Sequence, residues 1–101
     1  MAAKKEMVHV LITTTERSVY CGIIDWRDRA KKDGLDVTSK RHVWEYRVLA
    51  EDGEKGVYAL CTTGPQDGSR VGPAVEGVLN NIHSINRLSE VAIEAFARAT
   101  W

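Results

Sequence analysis

The segment MVHVLITT, Met7–Thr14, alternates apolar and polar positions around Val8, Val10 and Ile12, and nearly every residue in it favours extended backbone. That pattern predicts a strand. A polar link at Glu16-Arg17 follows, and SVYCGIIDW then predicts a second strand, the hairpin partner of the first. Val19, Cys21 and Ile23 share one face of it; Tyr20, Gly22, Ile24 and Trp26 share the other. Gly22 weakens that strand and marks a bulge or the close approach of another backbone. RDRAKKDG, from Arg27 to Gly34, is charged without an apolar stripe and reads as an exposed loop. KRHVWEYRVL is the next strand. Strict alternation puts His42, Trp44, Tyr46 and Val48 on one side and Arg41, Val43, Glu45, Arg47 and Leu49 on the other. AEDGEKG reads as a turn.

VYALCTTG is β-branched enough for a strand, but Gly64 followed by Pro65 is the usual way a helix stops. The balance predicts a short helix from about Gly56 to Thr63. AVEGVLNNIHSINRL resumes an extended pattern, two short strands around Asn80-Asn81. Residues 89–101 predict an amphipathic helix with Ser89 as N-cap and Glu90 in the first turn. Its face of Ala92, Ile93, Phe96, Ala97 and Trp101 is expected to pack on the sheet. Residues 1–6 are expected to be disordered. Together these elements make a single domain over residues 1–101, of α+β class: a small curved antiparallel β-sheet with a short central helix and a C-terminal amphipathic helix.

Composition narrows the function classes. In 101 residues, fourteen basic side chains balance fourteen acidic ones, which argues against broad nucleic-acid binding. Cys21 and Cys61 are too few for a disulfide framework and lack metal-ligand spacing, so each is expected to act as a small buried hydrophobe in a reducing, cytoplasmic setting. MAAKKEM has no apolar run behind it long enough for a signal peptide, and VHVLI is too short to span a membrane.

CTTGPQDGSRVGP, Cys61–Pro73, holds both prolines and three of the eight glycines. Gly64, Gly68 and Gly72 have neither P-loop nor dinucleotide-fingerprint spacing. The stretch therefore reads as an elbow, with Asp67-Gly68 supplying the tight turn. Arg70 is its one candidate for chemistry, a planar fork suited to phosphate or carboxylate on a stiffened bend.

His9, His42 and His83 have no metal-ligand spacing, no nucleophile elbow is present, and Asp25, Asp28, Asp33 and Asp36 read as a solvated face. No catalytic residue, metal or cofactor is assigned, and the chain is read as non-enzymatic. Trp44 and Tyr46 fit core packing, or a stacking platform for a base, with Arg41 and Arg47 on the neighbouring face available to phosphates. In a flat strand the two sets point opposite ways.

The order of motifs resembles a family of small proteins from tailed bacteriophages and prophages. The resemblance runs from Val8 to Ala97 through VYCGII, VTSKRHVWEY, GVYALCTTGP and SRVGPAV to the final helix. It departs at Ser39-Lys40, where those proteins tend to carry Asn-Ala before the arginine. The resemblance implies a helix at GVYALCTTGP. More distantly, it is similar to phage anti-defence sponges, which bind cyclic nucleotide or cyclic ADP-ribose-type signals between subunits without chemistry. It implies Arg41 and Arg70 as phosphate contacts, Trp44 or Tyr46 as the stacking partner, a homo-oligomer, and residence in the host cytoplasm. An inhibitor of a host protein and a small virion or assembly protein are the alternatives.

Overall fold

The computed structural model of the chain describes residues 5–101, and the side chains of all of these except 52–55. The six strands are β1 (Met7–Thr14), β2 (Val19–Asp25), β3 (Leu35–Glu45), β4 (Arg70–Val71), β5 (Val75–Leu79) and β6 (Ile82–Arg87). The helices are α1 (Ala59–Thr62) and α2 (Glu90–Arg98). Short 3-10 segments cover Trp26–Asp28 and Ala50–Tyr58, the latter broken at Gly56, whose φ is 56°. All pairings are antiparallel, in the order β4-β3-β2-β1-β6, and β5 also lies on β3. The class is α+β, as expected.

This one sheet carries two cores. Val10, Ile12, Ile24, Leu35, Val37, Leu79 and Ile82 fill the first. Leu11, Cys21, Val43, Leu60, Val71 and Phe96 fill the second, beneath α1 and α2. Val10, Leu11 and Ile12 are successive residues of β1 with no exposed surface, so this strand is buried on both faces. Each such side chain contributes about 1.5–3 kcal/mol on burial. The alternation around Val8, Val10 and Ile12 is real, but Leu11 is equally buried because helices cover the second face.

β3 serves both cores through a bulge. Cys21 pairs with Arg41 and Ile23 with Thr38, so Ser39 and Lys40 together stand opposite Gly22. The extra residue reverses the parity of the strand. Leu35 and Val37 face the first core, yet Val43, also odd-numbered, faces the second. Ser39 adopts φ 52°, the left-handed region. A Cβ on Gly22 would overlap Val37 Cγ1 and sit 3.2 Å from Thr38 O, so the bulge needs glycine opposite it.

β3 is longer at its start and shorter at its end than the expected KRHVWEYRVL. A second irregularity, where Val43 pairs with Val71 and Glu45 with Arg70, ends it. Tyr46 and Val48 then turn to the second core beside Val43, and so leave the face expected to unite them with Trp44. The AEDGEKG segment is a 3-10 helix rather than a turn, and the helix expected from Gly56 is α-helical only over Ala59–Thr62.

α1 stops as its Gly-Pro signal requires. The Thr63 and Gly64 N–H groups both donate to Ala59 O, and Gly64 has φ 79°. A Cβ there would lie 3.1 Å from Ala92 Cα, so α2 rests directly on this glycine. Ser89 caps α2 through Ala92 N–H at 3.1 Å and donates from its hydroxyl to Thr62 O at 2.6 Å. The last helix ends at Arg98, not at 101: Ala99 is extended, and Ala97 and Trp101 are exposed rather than packed on the sheet. Of the expected disordered start, residues 1–4 lie outside the described residues. Glu6 is ordered: its N–H donates to Asp25 Oδ1 at 3.3 Å and its carbonyl accepts from Trp26 N–H at 2.8 Å.

Gly22→Ala is expected to cost about 1–3 kcal/mol through overpacking at the bulge. Ser39→Gly is expected to hold stability or raise it by at most about 1 kcal/mol, since the left-handed conformation no longer strains a side chain. Urea unfolding of the two variants measures both.

Candidate functional site: an exposed aromatic row

The reversal of β3 carries its even-numbered residues past the edge of the first core. Tyr20 packs on that core, and His42, its cross-strand partner, stacks on it with ring centroids 4.7 Å apart and planes at 21°. Trp44 continues the row 3.8 Å from His42, and Trp101 meets Trp44 edge-on at 5.8 Å. Trp44 is 59% exposed and Trp101 68%. Trp44 crosses Gly72, where a Cβ would fall 3.3 Å from its indole Nε1. Core packing is therefore not what Trp44 does. Its ring is held by neighbours on its flanks and open to solvent.

The four residues singled out in the sequence separate into two pairs. Trp44 and Arg70 belong to the exposed surface. Arg70 stands opposite Glu45 in the ladder, with Nε 3.9 Å from the carboxylate, and Glu45 also holds Arg47 at 3.0 Å. Arg41 and Tyr46 turn toward the second core. Tyr46 packs against it. Arg41 donates to Gly72 O at 2.7 Å, Phe96 O at 2.6 Å, Ala99 O at 2.7 Å and Val71 O at 3.3 Å. Its guanidinium thus joins β3, β4 and the end of α2, and leaves little of its fork for a ligand. Two members of the row were not singled out as candidates: alternation had put His42 on the same strand side as Trp44, but it was weighed only as one scattered histidine, and Trp101 was read as part of a helical face.

The family comparison matches residues 7–96, from the first strand to the buried turn of α2. The chain belongs to the DUF6948 family. That family is described as a domain of unknown function. No curated protein and no solved structure matches the chain significantly.

The DUF6948 match covers the elbow as well, and the elbow is built as architecture. Gln66 N–H donates to Arg47 O at 2.8 Å, Ser69 N–H to Gln66 O at 3.1 Å, and Arg47 N–H to Ser69 Oγ at 2.8 Å. Gly68, φ 94°, packs on the Arg47 stem. Between this elbow and the end of α2 lies an open groove of about 610 Å³, lined in part by Pro65, Gln66, Ser69, Val91, Arg98 and Thr100. It contains none of the four sequence candidates.

Neither cysteine is poised for chemistry. Burial pushes the Cys21 thiol up to about 11 despite the opposing charge of Arg41, and the Cys61 thiol up to about 11 as well. Among the described residues no three His, Cys, Asp or Glu side chains are grouped to hold a metal ion, and no helix is long and apolar enough to cross a membrane.

Arg41→Met is expected to cost about 2–4 kcal/mol, because it strips charge-assisted bonds from half-buried carbonyls. Arg70→Gln, at an exposed site with one long ion pair, is expected to stay within about 0.5 kcal/mol of the parent. Burial holds the His42 pKa below its ordinary value, so the unfolded chain binds the proton first. That contribution to stability is present above the unfolded value of about 6.5 and is lost as pH falls through the folded one. Thermal melts between pH 7.5 and 5 are expected to fall less steeply for His42→Phe than for the parent.

Proposed function

We propose that this protein acts by capture rather than by catalysis, taking a planar, negatively charged ligand of nucleotide type on the aromatic row. The observation that carries this reading is the exposure of Trp44 between His42 and Trp101. A large ring held on both flanks and left open is costly in water unless something stacks on it, and bases do so with little regard to sequence. Arg70 supports the same reading: it stands opposite Glu45, the residue that follows Trp44, with a long contact to that carboxylate, and a phosphate in its fork would displace that contact. Arg41 and Tyr46 act in this scheme as supports of the platform. The resemblance to phage proteins that sequester signalling nucleotides makes cyclic nucleotides the first ligands to try.

Titration with AMP and with cyclic mono- and dinucleotides, followed by tryptophan fluorescence, tests the proposal. Saturable quenching is expected, with the nucleotide recovered intact. Trp44→Ala is expected to weaken binding about 10–100-fold, and Arg70→Gln to weaken it and flatten its salt dependence. Absence of saturation at millimolar ligand, or consumption of the nucleotide, contradicts the proposal.

A homo-oligomer belongs to this reading. Val75 and Val78, each 50% exposed on β5 at the sheet's margin, favour pairing of that strand with a second copy or with a host protein.

A further inference from the structure

At the opposite end of β2 from Tyr20, a second aromatic residue is dressed quite differently. Trp26 opens the 3-10 turn after the strand and packs by part of its ring against the first core. Two guanidinium groups lie on the same indole: Arg87 with its carbon 4.5 Å from the ring centroid, and Arg29 at 5.2 Å. They come from different elements. Arg87 ends β6, where it stands opposite Val10, and Arg29 follows the 3-10 turn.

Asp25 is engaged by Arg27, and Asp28 by Lys31. Among the described residues neither Arg29 nor Arg87 makes an ion pair. Arg29 gives one N–H to Trp26 O at 3.0 Å, and among the described residues the Arg87 side chain has the ring as its partner. Two like charges gathered on one ring repel each other, and the ring's quadrupole offsets that only in part. An anion that accepts from both forks removes the repulsion. A tetrahedral dianion has the oxygens to do so, whereas one carboxylate saturates a single fork. The indole packs against the first core and gives both forks one ring to rest on, which lowers the cost of ordering them around a ligand.

We propose that Arg29 and Arg87, held on the ring of Trp26, form a binding site for a phosphate group, separate from the aromatic row. A free phosphate and the terminal group of a monoester present the same kind of oxygens to this site.

The test uses the whole protein, labelled with nitrogen-15, and follows the indole N–H signals of its three tryptophans. Inorganic phosphate and ethyl phosphate are titrated at ionic strength matched with chloride. The Trp26 signal is expected to move saturably in the millimolar range while those of Trp44 and Trp101 stay in place. Tighter binding of ethyl phosphate assigns the site to an esterified phosphate, and tighter binding of inorganic phosphate to the free ion. Arg87→Gln and Arg29→Gln are each expected to weaken binding about tenfold or more, and Arg87→Lys by less than Arg87→Gln. Unmoved Trp44 and Trp101 signals in each variant report an intact fold. Trp44→Ala is expected to leave phosphate binding unchanged, so failure of the nucleotide proposal does not touch this one. A linear shift equal to that of chloride, or full affinity in Arg87→Gln, overturns the site.

Discussion

The structure depends on one inserted residue. Opposite Gly22 the third strand spends two residues, Ser39 and Lys40, where its neighbour spends one. Everything after that point is turned over. Val43 enters the second core, where without the bulge it would point to the first, and His42 and Trp44 emerge on the other face. A sheet of this size can then bury apolar side chains on both sides, with α1 and α2 covering one of them. The cost is local: a serine in the left-handed region, and a glycine that cannot become alanine without a clash.

The bulge also delivers Arg41 to its position. Its partner is Cys21, a member of the second core, so the guanidinium must lie on the helix side of the sheet. There it donates to four carbonyls, those of Val71, Gly72, Phe96 and Ala99. Those carbonyls belong to β4 and to the end of α2, where helical bonding runs out. The chain beyond α2 leaves in extended form and gives Thr100 O to the Val71 N–H at 3.1 Å. That path brings Trp101 to the edge of Trp44. The aromatic row is thus held from within by an arginine that does not touch it.

Local grammar was legible wherever a residue speaks for itself. Gly64-Pro65 stops α1, Ser89 starts α2, Asp67-Gly68 turns the elbow, and Asn80-Asn81 separates two short strands. Gly22 announced a bulge or a close approach, and it has both. The parity of β3 was hidden, because Ser39 is not a residue that advertises a left-handed conformation. Trp44 and Tyr46 therefore appeared to share a face that the chain divides. The end of α2 was hidden for another reason: the group that terminates it lies 55 residues upstream, in Arg41. Arg41 was expected to contact phosphates, but the oxygens it meets are carbonyls of the chain itself. Of the expected contacts, Trp44 and Arg70 are the two left exposed.

The central claim is that Val37 and Val43, six residues apart on one strand, belong to opposite cores. Methyl nuclear Overhauser effects in solution read this directly. The account predicts contacts from Val37 methyls to Ile24 and Leu79, and from Val43 methyls to Leu60 and Phe96, with no exchange between the sets. Contacts from Val43 to the Ile24 and Leu79 cluster would mean an unbroken alternation along β3, and would contradict the account.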